Sequence, residues 1–316
     1  MSVFTLLERA ELEAFVAPYG LGRLLDFQGI AAGTENSNFF VSLEAGEYVL
    51  TLVERGQRAD LPFVVELLQR LHAAGLPVPY GVATRSGECL RELADKPALL
   101  QPRLAGKHIE QPNAHHCAEV GSWLARMHLC TQAQPLERRS DRGLDWMLSE
   151  GPLQALQLDG EALELLRASL AEVAQAQAAV LALPRANLHA DLFRDNVLFD
   201  GPHLSGVIDF YNACSGPMLY DVAITLNDWC STASGSLDLS RARALLAAYA
   251  SLRPFHPAEA ELWPCMLRIA CLRFWLSRLI AARQPTALGV QVKDPDEFRQ
   301  RLLQRQQVHL PLPLAL

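Results

Sequence analysis

Over residues 61–74 apolar side chains return every three or four positions, at Phe63, Val64, Leu67, Leu68 and Leu71, which is the spacing of one face of a helix. Asp60 stands at the N-cap, Pro62 lies in the first turn and Gly75 follows as a stop, so both ends are marked. Ahead of it the pattern changes. Residues 27–31, 38–43 and 48–53 are short β-rich runs, the last two joined by the turn Glu44-Ala45-Gly46-Glu47, and they predict antiparallel strands. Thr5 and Glu8 have capping-box spacing before a stripe of Leu6, Leu7, Leu12, Phe15 and Val16, which predicts an opening helix. Residues 82–93, turning at Ser86-Gly87, and 97–101 complete a sheet-rich first part.

Beyond Gly106 helical periodicity dominates, over residues 113–130, 161–183, 217–230, 240–251 and 258–283. One β segment interrupts it. There, residues 197–199 and 204–208 are short apolar strands joined by Asp200-Gly201-Pro202. No internal repeat or low-complexity tract is present, the longest polar linker is 131–142, and the change of character sets a boundary within 101–107. The expectation is an α+β, two-part chain: residues 1–103 carry an antiparallel sheet and residues 104–316 are mainly helical.

Composition narrows the function. The net charge is −7 with no run of like charges, which disfavours nucleic acid and anionic membranes as partners. Seven cysteines form an odd set without C-x-x-C pairs, as in a reducing compartment. The first residues lack a basic segment followed by an apolar run, and the apolar stretch 262–280 is broken by Pro264, Arg268, Arg273 and Arg278. A cytoplasmic protein is expected, with its oligomeric state left open.

The β segment is flanked by polar residues at telling spacings: His189-Ala190-Asp191 and Asn196 before the first strand, and Asp209 after the second. A hairpin brings its two ends together. Phosphoryl transfer from a nucleoside triphosphate needs a carboxylate for the acceptor hydroxyl and oxygen ligands for the magnesium on the phosphates. Asp191, Asn196 and Asp209 supply those groups.

These residues also carry a resemblance. HADLFRDNVLFD followed by GVIDF resembles the catalytic loop and metal-binding aspartate of the aminoglycoside phosphotransferase and choline kinase superfamily, relatives of the protein kinases. Within it, AAGTENSNFFV, EYVLTLVE, IDFYNACSGPMLYDVAITLNDWC and CLRFWLSRL resemble the bacterial homoserine kinases of kinase-like type. The resemblance implies a two-lobed protein-kinase-like fold, ATP and Mg2+ as cofactors, and transfer of the γ-phosphoryl to L-homoserine in threonine biosynthesis. It makes Asp191 the base and Asn196 and Asp209 the magnesium ligands. Gly33, Thr34, Asn36, Ser37 and Asn38 become a phosphate-covering turn, and Gln101 to Arg103 a hinge facing adenine. The turn holds a single glycine, so side-chain donors would share the work of its backbone amides.

Thr51 stands where a kinase carries its phosphate-gripping strand lysine, and the chain's lysines are at 96, 107 and 293. Glu66 on the following helix is left without that partner, and phosphate charge falls to magnesium, loop amides or an arginine such as Arg55 or Arg103. A regulatory nucleotide-binding relative is the rival that this departure motivates. A metal-dependent phosphohydrolase would need more clustered ligands than His189 and Asp191.

Around the loop, His189 and Asp221 read as structural supports, and Arg194 either neutralises the transferring group or faces solvent. Homoserine carries an ammonium and a carboxylate, so acidic groups and an arginine are expected in its pocket. Tyr211, Asn227, Asp228, Arg273 and Arg278 are the candidates, against the plain alternative that helix arginines reach for water. His128 and Trp123 read as core, and His115 with His116 as no metal pair.

Overall fold

In the computed structural model, which describes residues 5–30, 36–54, 58–283 and 293–314, the early alternating runs become one antiparallel sheet. Its strands are β1 (Leu24–Gly29), β2 (Ser37–Leu43), β3 (Gly46–Leu52), β4 (Leu90–Leu93) and β5 (Lys96–Pro102), in the order β1-β2-β3-β5-β4. Leu43 pairs with Gly46, so β2 and β3 form a tight hairpin around Glu44-Ala45. The period of two sorts β2 cleanly: Phe39, Val41 and Leu43 face inward to Leu50 and Leu52 of β3 and Ala98 and Leu100 of β5. Onto that face packs α1 (Arg9–Val16) through Leu12, Phe15 and Val16. Burying each such side chain is worth about 1.5–3 kcal/mol. α2 (Leu61–Ala73) buries Leu61, Val64, Leu67, Leu68 and Leu71.

Two expectations are corrected here and one is qualified. The first helix is capped at Glu8, whose N–H donates to Glu11 Oε2 at 2.8 Å, while Thr5 donates instead to Glu54 and Leu6 is exposed. Asp60 is the N-cap of α2 as expected, though in helical dihedrals (φ −86°, ψ −16°) and without a side-chain cap bond, because a 3₁₀ turn, Arg58–Asp60, already leads into the helix. Of residues 82–93, β4 covers only Leu90–Leu93, since the Thr84–Glu88 turn uses its own backbone hydrogen bonds.

Contacts divide the described residues into two units, one ending at Ala105 and the other beginning at Gly106. The second contains α3 (Ala114–Thr131), α4 (Leu144–Ala155), α5 (Gly160–Leu181), β6 (Arg185–Leu188), β7 (Val197–Asp200), β8 (His203–Val207) and β9 (Cys214–Pro217). It continues with α6 (Met218–Trp229), α7 (Leu239–Leu252), α8 (Pro257–Ala281) and α9 (Pro295–Arg305). β7 pairs with β8 and β6 with β9, each antiparallel. α6 is buried on every side, as a helix apolar around its circumference must be, and its polar Asp221, Asn227 and Asp228 all find partners. α3 crosses α7 at Gly121, where a Cβ would stand 2.3 Å from the Leu245 carbonyl oxygen.

Two helices were not expected from periodicity. α4 carries Gly151 and Pro152 inside it, and the glycine lets the helix lie against Leu170 of α5. α9 is polar in composition and buries two arginines, Arg301 and Arg305, beside Phe298 and Leu302. An inward arginine is invisible to a search for apolar stripes.

Candidate active site

β7 and β8 pair with Val197 opposite Val207, and just beyond the ladder the Ile208 N–H donates to the Asn196 carbonyl at 2.9 Å. Asn196 and Asp209 therefore leave the same end of one hairpin. His189 ties the catalytic-loop candidate to that end. Its Nε2 donates to the Ile208 carbonyl at 2.9 Å and its Nδ1 accepts the Asp191 N–H at 3.2 Å. A carbonyl only accepts and a backbone N–H only donates, so the ring is the neutral Nε2–H tautomer. Burial, which lowers the pKa of this ring, favours the same state.

The loop is bent at Ala190, a non-glycine residue at φ +61°, and such backbone persists only where its surroundings hold it. Asp221, buried on α6, accepts the His189 N–H at 2.7 Å and the Ala190 N–H at 2.8 Å. Arg273 on α8 donates from Nη1 to the Ala190 carbonyl. Burial alone would push Asp221 up, but its hydrogen bond from His128 Nε2 (3.2 Å) and the backbone donors hold it below the usual carboxylate range. His128 continues through Nδ1 to the Tyr249 hydroxyl at 2.8 Å, so a polar chain runs from α7 to the loop.

Asp191 is driven above its ordinary pKa by burial, with the Arg273 charge the strongest opposing influence. Asn212 Nδ2 donates to its Oδ2 at 3.1 Å. That asparagine sits on the 3₁₀ turn Phe210–Asn212, which Arg138 clamps by donating to the Tyr211 carbonyl at 2.8 Å and to that of Ala213. Asn196, buried, donates from Nδ2 to the Asp191 carbonyl at 2.8 Å, which assigns its amide oxygen as the end left for a ligand. Asp209 is exposed and left-handed at φ +65°. An amide oxygen and a carboxylate at one hairpin end fit magnesium, a hard cation that retains waters and phosphate oxygens. Among the described residues no group of three or more His, Cys, Asp or Glu side chains forms a metal cage.

The remaining candidates of this unit separate by their partners. Arg194 is held by Asp228, its N–H at 2.9 Å and its Nε at 3.1 Å from Oδ2, and donates to the Glu110 carbonyl at 3.2 Å. Asp228 also faces Arg301 at 3.6 Å. Asn227 donates to the Leu267 carbonyl at 2.8 Å and accepts from Arg305 at 2.7 Å, as a packing group does. Arg278 pairs with Glu297 at 2.5 Å, and Tyr211 is half-buried. Arg273 is fully buried and, among the described residues, has no carboxylate partner.

In the first unit Gly33, Thr34 and Arg55 lie outside the described residues. Asn36 accepts the Glu54 N–H at 3.2 Å, Ser37 donates to Glu54 at 2.5 Å, and Asn38 accepts from Thr51 at 2.7 Å. The three side chains are engaged by β3 and the residues that follow it. Gln101 is buried and donates to the Pro79 carbonyl at 2.5 Å, while the Arg103 guanidinium lies 4.0 Å over the Phe40 ring. Glu66 pairs with Arg70 at 2.9 Å on an exposed helix face, and Lys96 is the partner of Glu54.

Asn212, Arg138, and His128 in its bracing role, were missed by sequence reasoning. Asn212 had one signal, a polar residue three places after Asp209 in a mostly apolar segment; the other two had none.

Comparison with known proteins follows the same lines. Residues 26–255 match the phosphotransferase enzyme family. The chain is 67% identical over 316 residues, covering all of both chains, to a homoserine kinase of Pseudomonas aeruginosa (strain UCBPP-PA14). It is 43% identical to a homoserine kinase of Methylobacillus flagellatus, with 96% of this chain and 94% of that one covered. Among solved structures it is similar to an amicoumacin kinase in complex with AMP-PNP and Ca2+, with a TM-score of 0.69, 15% identity, and 95% and 92% of the two chains covered. A microcompartment-associated aminopropanol kinase gives a TM-score of 0.69 at 16% identity, with 95% and 94% covered. These likenesses show a kinase-like fold, with the five-stranded antiparallel sheet in the N-terminal part and helices dominating the C-terminal part.

Proposed function

The chain belongs to the phosphotransferase enzyme family, and on that premise we propose that it transfers the γ-phosphoryl group of ATP to the side-chain hydroxyl of L-homoserine, giving O-phospho-L-homoserine and ADP. What carries the reading is the convergence of Asp191, Asn196 and Asp209 at one hairpin end, in a chain 67% identical from end to end to a homoserine kinase.

With Oδ2 of Asp191 held by Asn212, Oδ1 is the oxygen that orients the acceptor hydroxyl and takes its proton as the new O–P bond forms and the bond to ADP breaks. Asn196 and Asp209 would hold Mg2+, which when bound supplies positive charge against the triphosphate oxygens. Arg194, fixed by Asp228, adds fixed positive charge beside the loop. The family resemblance assigns phosphate covering to the turn that holds Gly33, Thr34, Asn36, Ser37 and Asn38, and the adenine hinge to Gln101–Arg103. Most of the rate enhancement comes from positioning and electrostatics. No described helix is long and apolar enough to cross a membrane, and we place this biosynthetic step in the cytoplasm.

The test is ADP release that requires Mg2+ and L-homoserine together. Turnover with choline, an aminoglycoside or another amino alcohol but not homoserine overturns the acceptor. Magnesium-dependent ATP binding with no turnover on any acceptor overturns the enzyme and leaves a nucleotide-binding module.

A further inference from the structure

α6 and α8 pack against each other, and on them four buried side-chain polar atoms lack a hydrogen-bond partner among the described residues: Tyr220 Oη, Trp263 Nε1, Arg273 Nε and Ser277 Oγ. Arg273 and Ser277 are four apart and share one face of α8. A helical serine ordinarily donates back to the carbonyl four residues earlier, here that of Arg273, and Ser277 does not. The Arg273 guanidinium is the strongest charge acting on both the Tyr220 hydroxyl and the Asp191 carboxyl. Its Nη1 already braces the Ala190 carbonyl next to Asp191.

A buried cation without a carboxylate, joined by two unsatisfied hydroxyls, is a donor set short of acceptors. In folded proteins the large majority of buried side-chain polar atoms have a hydrogen-bond partner. The missing partner is an anion with at least two oxygens, and a guanidinium fork fits a carboxylate. In homoserine the carboxylate lies four bonds, roughly 5 Å when extended, from the hydroxyl oxygen. We infer that Arg273, Tyr220 and Ser277 form the carboxylate subsite of the acceptor, holding that group while Asp191 holds the hydroxyl. The inference rests on the homoserine reading and names the residues that select an amino acid over a plain amino alcohol.

Tyr220→Phe and Ser277→Ala remove only hydroxyls without a hydrogen-bond partner among the described residues, so both variants are expected to fold. Each is compared with the unsubstituted enzyme on L-homoserine and on 3-aminopropan-1-ol, which is homoserine without its carboxylate, with 4-hydroxybutanoate as a competitive inhibitor. Each variant is expected to raise KM for homoserine and Ki for 4-hydroxybutanoate about tenfold, with KM for ATP unmoved and kcat/KM on 3-aminopropan-1-ol held within about twofold. Arg273→Met enlarges the homoserine effect. Equal losses on both acceptors, a fall in kcat without a change in KM for homoserine, or unchanged inhibition by 4-hydroxybutanoate overturns the subsite. Failure of the unsubstituted enzyme to phosphorylate homoserine overturns the parent reading instead.

Discussion

The side-chain amide of Asn212 donates to Oδ2 of Asp191 at 3.1 Å, and so restricts the rotation of the carboxylate proposed as the base. Asn212→Ala frees that rotation. The expected result is a fall in kcat of roughly tenfold with KM for ATP and for homoserine unchanged, measured by steady-state ADP release. A matching rise in KM would show that Asn212 contacts substrate and does not position the base.

Asp191→Asn retains size and hydrogen bonding but cannot take a proton. Turnover is expected to fall by about 10²–10⁴, while ATP affinity, read by calorimetric titration, stays unchanged. Near-normal turnover would remove Asp191 from the role of base.

Asp221 links acid stability to the loop it braces. Its folded pKa is depressed, so its ionisation favours folding above the ordinary aspartate value of about 3.9, and that contribution is lost as pH falls through the lower folded value. Asp221→Asn breaks a buried network and is expected to cost about 3–5 kcal/mol near neutral pH. Denaturant melts at successively lower pH should show the gap to the unsubstituted protein narrowing below about pH 4. A gap independent of pH would mean that packing, not charge, is what Asp221 contributes.

Gly121→Ala tests the crossing of α3 and α7. Alanine is the better helix former by about 1 kcal/mol, yet its Cβ would stand 2.3 Å from the Leu245 carbonyl oxygen. Separation of the helices should win, with a net loss of about 1–3 kcal/mol in chemical denaturation. A stabilised variant would contradict the close approach.

Glu66→Ala addresses the departure at Thr51. The carboxylate is matched by Arg70 on the surface, an interaction worth about 0.3–0.5 kcal/mol. Stability and kcat are both expected to stay within about twofold of the unsubstituted enzyme in melts and ADP-release assays. A large fall in kcat alone would return Glu66 to the phosphate-binding machinery.

The sequence by itself determined the elements whose signals are local. The alternation of Phe39, Val41 and Leu43, the stripe of α2, and the spacing of Asp191, Asn196 and Asp209 around one hairpin all concern neighbours two to eighteen residues apart, where backbone geometry sets who meets whom. Tertiary structure alone decided the partners. Arg138 reaches Tyr211 across 73 residues, His128 reaches Asp221 across 93, and Arg273 lies against Ala190 across 83. Nothing in the residue type marks such a pair, because a polar group is indifferent to which donor or acceptor satisfies it until packing removes water and leaves only one. The same reason hid α9, whose inward side chains include arginines, and the bonds by which Asn36, Ser37 and Asn38 engage β3 and Glu54.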